Sequence, residues 1–447
     1  MAVIGSGPAG VYATEALTRL ADDVRVDVYD GLPAPFGMVR YAVAPDHPRT
    51  QSISSPLATV LEHPQVRFLG NVRVGTDITF DELREHYDAI IVATGAAADR
   101  RLEVPGEDLP GSIAASDLVA WYCGHPDSVP DAFRLDARSV AVIGAGNVAG
   151  DVARMLASSP ADLRETDAPQ HVLDAFVVSQ VQDVHLVSRR GPAQTRFTTR
   201  ELRELGDLEE AEVVVDAGEL ELDPVSEETI RTSPAARRNL DVLRTWAERE
   251  PRPKPRRVHL HFFRRPSEII GSEAVAGIRL ERTDLDDSGQ LRGTGKISEL
   301  PVQLVVRAVG YRSLPLAGLP FDQATGVVPH EQGRVQDDGT SMPGLYVAGW
   351  AKRGPTGVIG TNKHDARETV RSLIEDVPMM TRAPVRNADA PLELLRRRGI
   401  RVVTWDGWKA IDRAETDLGR AAGRPRAKIS DRAELLRLAG TATGPGC

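Results

Sequence analysis

Cysteine is almost absent from the sequence: Cys123 and Cys447 are the only two in 447 residues. Two thiols so far apart supply no disulfide framework, no CxxC redox pair and no cysteine-ligated metal cluster. Any electrons must therefore travel through a bound cofactor, and no metal site is expected. Long apolar runs are missing too, since nothing reaches the roughly 18 residues that a membrane span needs. The N-terminus runs straight into a strand-and-glycine pattern, without the basic region and cleavage site of a signal peptide. A cytoplasmic protein with no membrane span is expected. Positive charge is in deficit, with a formal net charge of -9, which argues against a general nucleic-acid binder. No repeat period of the kind that builds solenoids is present.

What the chain does have is core material: 41% apolar and 27% charged residues, with both signs interspersed. That is the balance of a globular protein able to bury large cores. At roughly 100 to 200 residues per domain, the length predicts two or three domains.

Ala2 to Ile4 is a short apolar run that feeds Gly5-Ser-Gly-Pro-Ala-Gly10; Val11 to Leu20 has the pattern of an amphipathic helix, and Val24 to Tyr29 that of the next strand. Strand, glycine turn, helix and strand make a βαβ unit, the context a dinucleotide fingerprint requires. Gly5 permits the tight turn, Gly7 lets the backbone approach a pyrophosphate, and Gly10 lets helix and strand pack closely. Free N–H groups at the helix N-terminus then face the diphosphate. Asp30 stands where a carboxylate accepts hydrogen bonds from a ribose.

A second copy follows. Ser139 to Ile143 reads as a strand, Gly144-Ala-Gly-Asn-Val-Ala149 as the turn, Gly150 to Ala157 as the helix and Val184 to Val187 as the next strand. Here Ala149 replaces the third glycine, and the second strand ends in Ser188-Arg189-Arg190 rather than in an acid. A carboxylate would repel a 2′-phosphate, whereas two guanidiniums can grip one, so NADP is preferred to NAD. The two arginines could also be a plain solvated pair, and the long gap from Ala149 to Arg189 requires an insertion around Ser158 to Gln180. One site for a ribose and one for a 2′-phosphate point to FAD held permanently and NADP(H) arriving as substrate, with hydride transfer between them.

Ala89 to Ala93 is a further strand closed by Thr94-Gly95, with Pro105, Gly106 and Pro110 breaking the pattern beyond it. Leu304 to Val309 closes comparably at Gly310-Tyr311. Gly344 to Gly349 reads as a strand, Ala351 to Gly360 as a glycine-rich turn and Thr361 to Ile374 as a helix returning to the first domain. Leu392 to Arg398 and Ala433 to Leu438 read as helices before a Gly/Pro/Thr tail expected to fray. The fold class expected is α/β, two Rossmann-like dinucleotide-binding domains with the NADP domain, 99–324, inserted into a discontinuous FAD domain, 1–98 and 325–447.

The sequence also resembles the adrenodoxin-reductase type of ferredoxin–NADP+ reductase, closest to its actinobacterial members. The resemblance rests on Leu32-Pro-Ala-Pro-Phe-Gly-Met-Val-Arg-Tyr-Ala-Val-Ala-Pro-Asp-His-Pro48, on Gly146-Asn-Val-Ala149, and on Arg189-Arg-Gly-Pro-Ala-Gln194 with Phe197-Thr-Thr-Arg-Glu-Leu-Arg-Glu-Leu205. It rests also on Gly349-Trp-Ala-Lys-Arg-Gly-Pro-Thr-Gly-Val-Ile-Gly-Thr-Asn362. It runs from residue 2 to about 440 and implies the same split arrangement. It implies FAD contacts at Ala9, Asp30, Met38, Val74, Trp350, Gly357, Val358 and Ile359. NADP contacts are implied at Gly146, Asn147, Val148, Ala149, Arg189, Arg190, Glu201 and Gly357. His47 is a candidate for handling a proton or orienting a group near the flavin, and the resemblance places Glu204 close to it. Asp30 stands where many members have Glu, and Gly150 where a leucine is common, which is expected to loosen that helix. Members usually carry several residues before the first strand, so the natural start is expected upstream of Met1.

The function expected is transfer of a hydride between NADP(H) and FAD, followed by single-electron transfer to or from an iron–sulfur ferredoxin. The alternatives are another NADPH-dependent flavoprotein, a monooxygenase or an electron-input subunit, and a non-catalytic FAD/NADP-binding module. A thioredoxin-reductase type is excluded by the missing CxxC. Between Arg231 and Arg265 eleven Lys and Arg face only Asp241, Glu248 and Glu250, leaving the segment locally positive by eight. Arg237, Arg238 and Arg244 in this segment are the candidate docking patch for an acidic ferredoxin. Cys123 is expected to be a packing residue, and Trp121 and Tyr122 to lie in the core or at the domain interface.

Overall fold

In a computed structural model of the chain, residues 1–21, 23–250 and 252–440 are described; Pro251, Cys447 and the expected fraying tail lie outside them. Two large sheets organise the molecule. The first has seven strands in the order His330–Glu331, Arg334–Asp337, Thr340–Val347, Ile90–Val92, Ala2–Ile4, Val26–Tyr29 and Val66–Leu69. Its last five strands are parallel, with Val3 paired to Val28 on one side and to Ile91 on the other. Central strands of such a sheet are covered on both faces, which is why Ala2 to Ile4 and Ile90 to Val92 are unbroken apolar runs.

The second sheet has six parallel strands in the order Ser112–Ala114, Leu304–Arg307, Ser139–Ile143, Asp183–Val187, Arg256–His261 and Ala211–Val215. Val140, Val142, Val184, Leu186, Val258 and Leu260 on one face pack with Leu156, Phe176, Leu202 and Trp246 from the helices. On the other face Ala141, Ile143, Val187 and Val305 meet Ile269, Ile278 and Leu280 from an antiparallel sheet of Arg264–Gly271, Val275–Leu285 and Leu291–Leu300. Side chains alternate between the two faces of a strand, so one short run serves both layers.

The fold is thus α/β with two Rossmann-like units, the first taking its sheet strands from chain up to Val92 and from His330 to Val347, the second from chain between Ser112 and Arg307. Where the chain crosses between units, Ala98–Asp99 and Tyr311–Arg312 pair as an antiparallel ribbon. Leu316, Leu319 and Phe321 pack beyond it against the core of the first sheet. The second crossing therefore lies beside Gly310-Tyr311, some way before 324. Gly310 marked that point in the sequence, but the few apolar residues after it carry no period that would show which core they join.

The long gap between Ala149 and Arg189 is filled by helices Pro160–Arg164 and Gln170–Val177. Gly150 was expected to loosen its helix; the helix runs unbroken from Asn147 to Ala157 around it. A Cβ at Gly150 would sit 3.4 Å from the Phe197 ring, in ordinary contact, so the aromatic lies against this face of the helix. Trp121, Tyr122 and Cys123 are all buried in the second unit's core, where Cys123 Sγ donates to the Val43 carbonyl 3.3 Å away. Burial pushes the Cys123 thiol up to about 12, the state of a packing residue rather than a nucleophile.

Candidate cofactor sites

The first turn enters helix Pro8–Leu20 at Gly7, whose side contributes no cap to the N-terminal amides; Pro8 fits the first helical position because it has no N–H to satisfy. Gly10 is there for steric reasons. A Cβ at that position would lie 1.9 Å from the Gly5 carbonyl oxygen and 3.2 Å from Val3 Cγ1. Asp30 Oδ2 accepts from the Ser6 amide at 2.9 Å and from Ser6 Oγ at 2.5 Å, and Oδ1 accepts from the Leu32 amide at 2.9 Å. Burial raises the Asp30 carboxyl above its ordinary value, and these hydrogen bonds oppose the shift. The acid thus ties the end of one strand to the glycine turn of another, a task the fingerprint did not reveal.

Other candidates surround this turn. The Phe36 amide donates to the Ser6 carbonyl at 3.1 Å, bringing the start of helix Met38–Tyr41 alongside. From the returning segment, a Cβ at Gly349 would lie 2.5 Å from Ala9 Cβ, so the two chains touch there. Trp350 opens the short helix Trp350–Arg353, stacks on Tyr311 at 5.8 Å and donates to the Thr356 carbonyl. Gly357 and Val358 are exposed and Ile359 half-buried at the entrance to helix Thr361–Asp376. Val74 points its side chain into the core with Tyr29 and Leu69.

In the second unit, helix Asn147–Ala157 begins at Gly146, again with no side-chain cap. Nothing lies within 4 Å of a Cβ placed on Gly146. The space and the free amides suit a diphosphate, as the donors around Gly7 do. Asn147 Oδ1 is engaged by the Thr198 amide at 3.0 Å, and Ala149 is buried. Ser188 Oγ donates to the Arg190 carbonyl, and Thr283 Oγ1 donates to that of Arg189. This fixes the backbone while both guanidiniums stay exposed and, among the described residues, make no ion pair.

His47 is buried, and its Nε2 lies 3.0 Å from Glu204 Oε2, bringing the two candidate residues together; Arg200 Nε donates to the other Glu204 oxygen at 2.9 Å. Thr198 caps helix Thr199–Gly206 and also donates to Glu201 Oε2 at 2.8 Å. Burial raises the Glu201 carboxyl, and Asp151 nearby adds to the shift. Three further residues complete this cluster, and sequence reasoning missed them: Asp46, Asp151 and Arg154. Their only signals were Asp46 beside His47 and the i, i+3 spacing of Asp151 and Arg154 after the second glycine turn.

The basic segment looks different once folded. Arg231, Arg256, Arg257, Arg264 and Arg265 pair with Glu228, Glu210, Asp183, Glu219 and Glu281. Lys254 Nζ donates to the carbonyls of Leu208 and Ala211. The local excess of eight is therefore largely neutralised by acids that lie outside the run. Arg237, Arg238 and Arg244 remain exposed on helix Pro234–Ala247, with Arg244 bordering a shallow cleft beside Glu221, Glu227 and Glu248.

A family model described as pyridine nucleotide-disulphide oxidoreductase matches residues 1–216. The NADPH-ferredoxin reductase FprA of Mycobacterium tuberculosis is 45% identical, with 98% of each chain covered. The mitochondrial NADPH:adrenodoxin oxidoreductase of Homo sapiens is 38% identical over 98% of this chain and 91% of its own. A solved structure of Mycobacterium tuberculosis FprA in complex with NADPH superposes with a TM-score of 0.91 at 44% identity, covering 98% of both chains. No helix among the described residues is long and apolar enough to cross a membrane.

Proposed function

The chain belongs to the family of NADPH-ferredoxin and adrenodoxin reductases, and from that premise we propose which of its residues serve each cofactor. The protein is an oxidoreductase, an FAD-dependent NADPH-ferredoxin reductase. The observation that carries the assignment is a pair of glycine-turn helices with uncapped N-termini on two separate sheets, only the second followed by guanidiniums that make no ion pair among the described residues. FAD, when bound, would supply the chemistry that couples two-electron hydride transfer from NADPH to single-electron transfer to an iron–sulfur partner.

The FAD half comprises residues 1–98 and the chain after the second crossing, and the NADP half lies between. Gly5, Gly7, Ala9 and Gly10 cradle the FAD diphosphate, with Asp30 at the ribose. Met38, Val74, Trp350, Gly357, Val358 and Ile359 line the rest. Gly144, Gly146, Asn147, Val148 and Ala149 receive the NADP diphosphate. Arg189 and Arg190 grip its 2′-phosphate, and Glu201 and Gly357 are further NADP contacts. His47 and Glu204, where the halves meet, hold or move a proton, or orient the reacting rings. The cytoplasm is the proposed site of action.

Purified protein is expected to be yellow, with one FAD held noncovalently, and to reduce an acidic ferredoxin with NADPH. Denaturation should release the flavin into the supernatant. Colourless protein that FAD cannot reconstitute, or flavin that stays with the precipitate, would refute the assignment.

The partner's landing site in this proposal is helix Pro234–Ala247 through Arg237, Arg238 and Arg244. An excess of positive charge there speeds encounter and gives affinity that salt screens over about 8 to 10 Å. Charge reversal at Arg237 and Arg238 should slow ferredoxin reduction about ten-fold at low salt, with the deficit shrinking as salt rises. NADPH reduction of a small neutral dye should be unchanged. Equal loss with ferredoxin and dye would point instead to damage in the NADP half.

A further inference from the structure

Asp46 and His47 belong to the first unit, yet both reach helices of the second. Arg154 Nε and Nη2 donate to the two Asp46 oxygens at 2.6 and 3.0 Å, and its Nη1 donates to Asp151 at 2.9 Å. Arg154 is 3% exposed, so this is a bidentate, largely desolvated pair. Such a fork fixes the plane of a carboxylate as well as its distance. Burial pushes the Asp46 carboxyl up, but the hydrogen bonds and charge of Arg154 outweigh it and hold the group below its ordinary value. Asp151 stays raised by burial despite the same arginine.

The next residue makes the second contact, His47 to Glu204. Helices Asn147–Ala157 and Thr199–Gly206, which supply Arg154 and Glu204, are themselves joined by the Asn147 to Thr198 hydrogen bond and by the Phe197 ring over Gly150. Two consecutive residues of one half therefore meet two mutually fixed helices of the other, Asp46 through hydrogen bonds and His47 at ion-pair distance. Ala44 continues the seam into the second unit's core.

We infer that Arg154 is a positioning residue for hydride transfer: through Asp46 it sets the FAD half against the NADP glycine turn and holds His47 against Glu204. The inference rests on the functional reading above. Arg154 sits one helical turn beyond the NADP turn and makes no contact that the cofactor assignment requires, so its effect should fall on the rate of the step rather than on coenzyme affinity.

The test uses holoenzyme carrying Arg154→Met. The limiting rate of flavin reduction by NADPH is expected to fall about ten-fold or more, as for a small misplacement of reacting groups. NADP+ affinity, measured by titration, should change less than about three-fold on the same reasoning. Amides of residues 44–51 should exchange with deuterium faster, while those of Ser139–Ile143 keep their protection. Arg154→Lys, which retains the charge but not the fork, should recover part of the rate. In a His47→Gln background Arg154→Met should add little, because the two act through one seam.

The inference is overturned if the rate is unaltered, if the two substitutions multiply independently, or if protection is lost evenly across the second unit. Should the arginine variants fail to fold, Asp46→Asn, at the more exposed end of the pair, decides the matter: it must reproduce the slow step and the faster exchange at 44–51. Wild-type protein that shows no flavin reduction by NADPH would remove the functional reading and this inference together. A wild-type rate in Asp46→Asn removes the inference alone.

Discussion

Replacing Arg189 and Arg190 together with alanine is expected to raise the KM for NADPH by about two orders of magnitude or more and to leave NADH nearly unaffected. Each charge-assisted hydrogen bond contributes roughly 1.5 to 3 kcal/mol, and a factor of ten corresponds to about 1.4 kcal/mol. Both side chains are exposed and make no ion pair among the described residues, so their loss unpairs no carboxylate and should cost little stability. The backbone that carries them is held separately, by Ser188 Oγ and Thr283 Oγ1, and survives the substitution. Steady-state kinetics with both coenzymes checks this. Equal weakening of NADPH and NADH would mean that the arginines do not read the 2′-phosphate.

A second large effect is expected from Gly10→Ala. The added methyl would stand 1.9 Å from the Gly5 carbonyl oxygen, a backbone atom that cannot swing aside. Helix Pro8–Leu20 must therefore move away from strand Ala2–Ile4 and carry its free amides with it. Overpacking of this kind costs roughly 1 to 3 kcal/mol or more, and the expected result is protein that melts earlier and retains little FAD. Gly146→Ala provides the contrast. Its methyl meets nothing within 4 Å, so stability should change by no more than about 0.5 kcal/mol, while NADPH binding weakens because the methyl stands where the diphosphate approaches. Thermal denaturation with the flavin content of purified protein, and NADP+ titration, separate the two. A Gly10→Ala protein that kept full FAD and a normal melting point would show that the turn does not need its close helix contact.

The glycine turns were legible because what they encode is local. A turn of fixed sterics, a helix face repeating every 3.6 residues and a fully buried strand each leave their mark within about a dozen residues. The pattern that ends in Ser188-Arg189-Arg190 was legible in the same way, and so the sequence by itself determined two Rossmann-like units; that the arginines read a 2′-phosphate is the proposal tested above. The interruption of one unit by the other was legible as well, because Gly344 to Gly349 repeats the pattern of a buried strand.

Tertiary structure decided what depends on residues distant in sequence. Arg154 meets Asp46 across 108 positions, and no period or spacing links them; only the seating of one unit on the other desolvates the pair and makes it a clamp. The run from Arg231 to Arg265 was strongly basic in one dimension, yet Asp183, Glu210, Glu219 and Glu281 reach it from neighbouring elements and cancel about half of its excess charge. Asp30 stood at the position of a ribose acceptor, but its hydrogen bonds to Ser6 show it also closing the turn. Coulomb attraction and hydrogen bonding act through space, so their partners are fixed only when the chain has folded.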